Sequence, residues 1–143
     1  MQAALLTELE THLAGDLRAD AQAAGLLEAT ARVLLALGPE EAIPMSALAR
    51  RIGRDATTAT RFVNRAEGEA LLGRTPGARD KRRRLVALTE AGRVVRARLV
   101  ALRDHRAALL LERVLAATGL HEGQVEWFLA SMLAGLAHAP EDD

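Results

Sequence analysis

Between Ser46 and Gly92 the chain reads SALARRIGRDATTATRFVNRAEGEALLGRTPGARDKRRRLVALTEAG, and this stretch limits the possible folds more than any other. Gly53 separates two short helical segments. Ser46 is placed to cap the first, which runs to about Ile52 with Leu48, Ala49 and Ile52 inward. Asp55 is the expected cap of the second, from Ala56 to about Glu67. In that second segment Ala59, Phe62, Val63 and Ala66 fall at i, i+3, i+4 and i+7, one apolar stripe on a helix. The opposite face carries Thr57, Thr58, Arg61, Asn64 and Arg65. Leu71 to Thr75 and Arg83 to Leu88 then read as two short strands, with Pro76-Gly77 and a basic run between them. Thr89 is placed to cap a long helix continuing to about Leu115.

The flanks are helical in pattern. Residues 3 to about 22 form an Ala/Leu-rich amphipathic stretch interrupted by Gly15, and Gly25 separates it from a helix expected over Leu26 to Leu37. Gly38-Pro39 ends that helix, and Pro44 biases Ile43 toward an extended conformation. After Gly119, a candidate C-cap, a last helix is expected from about His121 to His138. Half of the 143 residues are hydrophobic, enough for one ordinary core. Leu and Ala dominate that half while aromatics make up 2%, a balance that favours helix over sheet.

A formal net charge of zero hides a strong segregation. From Arg50 to Arg106 there are sixteen basic and six acidic residues, whereas residues 1–49 carry two and seven, and residues 107–143 one and six. A basic centre on a helix-turn-helix scaffold is what binding to DNA phosphates requires. Taken alone, the polar face from Thr57 to Arg65 also fits a solvated helix surface, and Lys81-Arg82-Arg83-Arg84 also fits a solubilising run. Together they occur in the order a winged helix needs: a helix whose first turn enters the major groove, then a hairpin whose basic tip reaches the neighbouring minor groove.

The segment resembles the MarR family of winged-helix transcriptional regulators. The residues that carry the resemblance are Ile52-Gly53, Thr57-Thr58-Ala59-Thr60-Arg61-Phe62-Val63, Leu71-Leu72, and Pro76 through Asp80-Lys81-Arg82 to Leu88-Thr89-Glu90-Ala91-Gly92. It implies a mainly α fold with a small two- to three-stranded β wing. Residues 26–107 would form the winged helix-turn-helix lobe, and residues 1–25 with 108–143 a helical dimerisation region. It further implies that Thr57, Thr58, Thr60 and Arg61 contact bases and phosphates. Arg82 would enter the minor groove with its guanidinium oriented by Asp80, while Arg79, Lys81 and Arg83 add phosphate contacts. Arg50, Arg51, Arg54 and Arg65 are expected on phosphates as well.

Three residues depart from the family pattern. Asp55 stands where Ser is usual, which places a negative charge near DNA. Ala56 stands where a contacting polar residue is common. Ala70 stands where Gly normally ends the recognition helix, so that helix is expected to stop at Gly68.

The resulting expectation is a sequence-specific, double-stranded-DNA-binding regulator, a ligand-responsive repressor acting as a homodimer on a pseudo-palindromic operator with half-sites about 10 bp apart. The rival is a winged-helix protein-interaction module without sequence-specific DNA binding, favoured by Asp55 and Ala56. Any effector pocket would be aliphatic, lined from Leu9 to Leu17 and Leu26 to Leu37. No enzyme is expected, since the chain shows no nucleophile–base arrangement and no phosphate loop. No cofactor or metal is expected either: cysteine is absent, and His12, His105, His121 and His138 are scattered. The N-terminus lacks a basic signal-peptide region, and the longest uncharged run, Trp127 to Pro140, falls short of the roughly 20 residues a bilayer needs. A cytoplasmic protein with no membrane contact is therefore expected.

Overall fold

A computed structural model describes residues 16–77 and 79–137. It divides into two compact units, one running to Arg103 and the other beginning at Asp104.

The first unit begins with α1, described over residues 16–23, and a turn through Gly25, whose φ of +73° is open to glycine without strain. There follow α2 (Glu28–Ala36), β1 (Ala42–Pro44), α3 (Met45–Ile52), α4 (Ala56–Gly68), β2 (Leu72–Pro76), β3 (Arg84–Leu88) and the first half of α5 (Glu90–Thr118). The strands form one antiparallel sheet in the order β1-β3-β2. Ile43 pairs with Val86, and β2 pairs with β3 from Leu72 opposite Leu88 to Pro76 opposite Arg84. The wing is thus three-stranded.

Ser46 does not cap α3. The helix starts two residues earlier than such a cap would set it, at Met45, with Pro44 in the cap position and no side-chain bond there. Pro44 is also the last residue paired in β1, and its extended backbone leads straight into the first turn. Gly53 then closes α3 in the left-handed conformation at φ +62°.

The core lies where these elements meet. Leu34 and Leu37 at the end of α2, Leu48 of α3, Val63 of α4, Val86 of β3 and Leu99 of α5 are completely or almost completely enclosed. Each such side chain contributes about 1.5–3 kcal/mol relative to exposure. Ala59, Val63 and Ala66 are buried as the periodicity predicts, while Phe62 is only half-buried.

Two arginines of α5 tie distant ends of the lobe. Arg96 donates from Nε to the carbonyl of Leu37 at 2.6 Å, and Arg98 donates from Nη2 to that of Ala23 at 3.2 Å. Both acceptors lie at helix C-termini, where carbonyls lack intrahelical partners.

The second unit holds the rest of α5 and α6 (Glu122–Ala137), joined through Gly119 at φ +69°. Of the amphipathic stretch expected near the N-terminus, residues 1–15 lie outside the described residues, as does His138.

Candidate nucleic-acid interface

Helix α4 begins where Asp55 sets it. The Thr58 N–H donates to Asp55 Oδ1 at 2.9 Å, and the Thr58 hydroxyl donates to Oδ2 at 2.7 Å. These bonds, the backbone one foremost, hold the Asp55 carboxyl below its ordinary pKa. The Thr60 hydroxyl donates to the Ala56 carbonyl at 2.8 Å. Both threonines have therefore given their proton inward and keep only acceptor capacity for an outside group. Burying the Ala59–Val63–Ala66 stripe turns Thr57, Arg61, Asn64 and Arg65 to solvent, with Thr58 and Thr60 half-buried beside them. The Arg61 guanidinium lies 6.0 Å from the centroid of the Phe62 ring, at the weak outer limit of a cation–π contact.

The far end of α4 stops at Gly68, but not because Ala70 avoids the left-handed region: Ala70 itself makes the turn there at φ +59°. Two bonds close this turn: Ala70 N–H to the Glu67 carbonyl and Leu71 N–H to the Ala66 carbonyl, both 2.9 Å. That is the Schellman pattern with alanine where glycine is usual. Its strain is offset by a third element: the Thr89 hydroxyl donates to the Ala70 carbonyl at 2.7 Å and accepts the Gly92 N–H at 3.0 Å. Thr89 thus caps α5 and fastens the end of α4 at once.

At the wing tip the Gly77 N–H donates to the Arg83 carbonyl at 2.8 Å, and the Arg83 N–H to the Asp80 carbonyl at 3.0 Å. Arg79, Asp80, Lys81, Arg82, Arg83 and Arg84 are all exposed. Asp80 does not orient the Arg82 guanidinium. Its Oδ1 accepts the Arg82 backbone N–H at 2.9 Å, because a carboxylate two residues back in a tight turn faces the main chain. The Arg82 side chain has no acidic partner among the described residues.

Arg50 and Arg54 are exposed beside α4. Arg51, expected on phosphates, is instead committed within the lobe. It forks onto Glu41 at 2.6 and 2.7 Å and donates to the Ala36 carbonyl at 3.1 Å. That guanidinium, with the Gly38 N–H, lowers the Glu41 carboxyl to about 2. Arg74 is the site residue that sequence reasoning passes over. From β2 its Nη2 donates to Asn64 Oδ1 at 2.6 Å and lies 3.2 Å from Glu67 Oε2. Both partners belong to α4, and no local spacing rule points from a strand arginine to residues seven and ten positions upstream. On α5, Arg93 pairs with Glu90 at 2.8 Å, so it too serves the scaffold. The expected contact residues thus gather on two features, the outward face of α4 and the wing tip, with Arg50 and Arg54 alongside.

No protein-family model matches the sequence, and no curated protein matches it. Solved structures do. CouR from Rhodococcus jostii RHA1 bound to p-coumaroyl-CoA superposes with a TM-score of 0.74 at 21% identity, covering 97% of this chain and 93% of that one. A MarR-family transcriptional regulator from Silicibacter pomeroyi gives 0.74 at 23%, covering 100% and 92%. The fold is that of the MarR-family transcriptional regulators. CouR also occurs as a transcriptional repressor bound to a 23-mer DNA duplex, and there the match is 0.72 at 24%, covering 96% and 93%. The exposed cations of this chain collect on the outward face of α4 and on the β2–β3 hairpin.

Proposed function

We propose that this protein is a sequence-specific double-stranded-DNA-binding transcriptional regulator of the MarR type. The observation that carries the reading is the division of labour among its arginines. Arg51, Arg74, Arg93 and Arg96 are bound to carboxylates or carbonyls of the lobe. Arg61 and Arg65 on α4, and Arg79, Arg82 and Arg83 on the wing, face solvent. A cation that braces the scaffold needs a protein partner; one that meets phosphate must be left without one. Affinity then comes from Arg50, Arg54, Arg65 and the wing on phosphates. Discrimination comes from Thr57, Thr58, Arg61 and Arg82 at base edges.

The protein acts as a homodimer. In the second unit Trp127 is 71% and Leu133 67% exposed, Phe128, Leu129 and Met132 are also open, and among the described residues Val125 is the one buried apolar side chain. Trp127 and Phe128 flank a hollow of about 400 Å³ lined with Leu120, Gly123 and Gln124. So much apolar surface on one short helix supports cover by a second copy. A two-fold dimer reads a pseudo-palindrome. The repressor role and control by a small ligand follow the related regulators: CouR is described as a repressor and holds p-coumaroyl-CoA, and the DNA binding of Bordetella bronchiseptica BpsR is regulated by 6-hydroxynicotinic acid.

Selection of bound sequences from a random duplex pool at about 150 mM salt tests the reading. An enriched palindrome with two half-sites supports it. Salt-sensitive binding with no enriched motif overturns it in favour of a winged-helix interaction module, the reading that Asp55 and Ala56 at the front of α4 would favour.

A further inference from the structure

We propose that Arg74 is a positioning residue: it fixes the angle between α4 and the wing, and with it the spacing between major-groove and minor-groove contacts in each half-site. The inference rests on the DNA-binding reading above.

The covalent link between α4 and β2 is short, residues 69–71, and it turns at the left-handed Ala70. A single turn acts as a pivot. Leu71 and Leu72 are buried beneath it, but apolar burial is non-directional and leaves the rotation about a pivot weakly defined. The directional restraint comes from Arg74, the central residue of β2, paired with Val86 of β3. Its Nη2 reaches Asn64 at 2.6 Å and Glu67 at 3.2 Å. Asn64 and Glu67 lie one helical turn apart, and Asn64 is one turn beyond Arg61. One rigid guanidinium therefore grips the reading helix at two successive turns while its backbone belongs to the strand that leads into the wing tip. Charge-assisted bonds of this kind are short and orientation-sensitive. Glu67 balances the charge, so Arg74 is spent on the brace and does not bind phosphate.

The test uses the full chain on the duplex selected by the wild type, footprinted with hydroxyl radicals, which report the deoxyribose edge of the minor groove. The wild type is expected to protect the core of each half-site and a minor-groove patch outside it. Arg74→Ala and Arg74→Lys, shown to be folded by helical circular dichroism, are expected to select the same core without the outer protection. Their salt slopes should become shallower by about 0.9 for each phosphate that the wing no longer neutralises. Lysine keeps the charge and lacks the fork, so Arg74→Lys with wild-type footprint and slope would mean a phosphate-binding residue and overturn the brace. Glu67→Gln separates the roles in the opposite sense. A brace predicts weaker outer protection, whereas a phosphate-binding Arg74 would be released and bind more tightly, which would refute the proposal. If Arg74→Ala does not fold, the other two variants decide. A wild type that selects no sequence defeats the DNA-binding reading itself. A wild type with outer protection that every variant retains defeats only the brace.

Discussion

Replacing Gly92 with alanine puts one methyl group where the backbone of another element already sits. A β-carbon there would overlap the carbonyl oxygen of Leu71, with the Leu71 carbonyl carbon at 3.0 Å and its Cα at 3.4 Å. The obstruction is main chain, so no side-chain rotation relieves it. The same Leu71 carbonyl accepts the Thr89 N–H at 3.1 Å, and Gly92 N–H donates to the Thr89 hydroxyl at 3.0 Å. Moving α5 away far enough to admit the methyl strains or breaks both bonds. Overpacking of this kind costs about 1–3 kcal/mol, and a disrupted hydrogen bond in a half-buried junction adds about 1 kcal/mol. Alanine returns about 0.5–1 kcal/mol because glycine is the poorer helix former. The net effect is a destabilisation of about 2–3 kcal/mol, or a Tm lower by about 10 °C for a chain of this size. Thermal unfolding followed by circular dichroism, with urea titration for the free energy, measures it. Helix propensity by itself predicts the opposite sign, so a Gly92→Ala variant that melts at or above the wild-type temperature would refute the backbone-contact argument.

Ala70→Gly should stabilise the lobe by about 0.5–1 kcal/mol, since glycine takes φ +59° without the steric cost that alanine bears; an unchanged or lower urea midpoint would contradict this. The Glu41 carboxyl, lowered from 4.5 to about 2 by the Arg51 guanidinium, adds stability that is complete above pH about 4.5 and drains away as pH falls through about 2. The stability difference between wild type and Glu41→Gln should therefore shrink steadily across that interval in acid titrations of unfolding, and a constant difference would exclude the pairing as its cause. Asp55→Ser keeps a capping oxygen while removing a negative charge at the start of α4, the end proposed to face DNA. It should tighten DNA binding about threefold at low salt, with the gain fading as salt rises, and a salt-independent change in fluorescence anisotropy would point elsewhere. Arg82→Ala should weaken binding and flatten the salt dependence by about 0.9 in slope; unchanged affinity at every salt concentration would remove the wing from the interface.

The parts legible in the sequence are those whose cause is local. Asp55 as a cap, Gly53 as a left-handed turn and the Ala59–Val63–Ala66 stripe each depend on residues within a turn or two, and they stand where the pattern puts them. Thr89 is legible as a cap for the same reason, but its second bond, to Ala70, depends on how α4 and α5 meet. Ser46 misleads because the pairing of Pro44 with Leu85 decides where α3 starts, and that partner lies about forty residues away. The arginines divide on the same principle. Composition shows that the centre is basic; it does not show which cations Glu41, Asn64 and Glu67 engage, because those pairings exist only once the lobe is assembled. Trp127 and Phe128 carry no local mark of their exposure in the sequence, yet they are among the most exposed apolar residues of the second unit.

The central place of β3 in the sheet has a consequence for how the chain comes off the ribosome. Synthesis delivers α2, β1, α3 and α4 first, and chains fold as their parts emerge. Yet β1 has no strand to pair with until residues 84–88 arrive, and β2 needs the same strand. The Leu37 and Ala23 carbonyls wait longer still, for Arg96 and Arg98. Until then the nascent lobe is a set of short helices with open backbone groups and an exposed strand. The late arrival of one five-residue strand and the first turns of α5 closes the sheet and supplies both tying arginines, making completion of the lobe a nearly single event late in its translation.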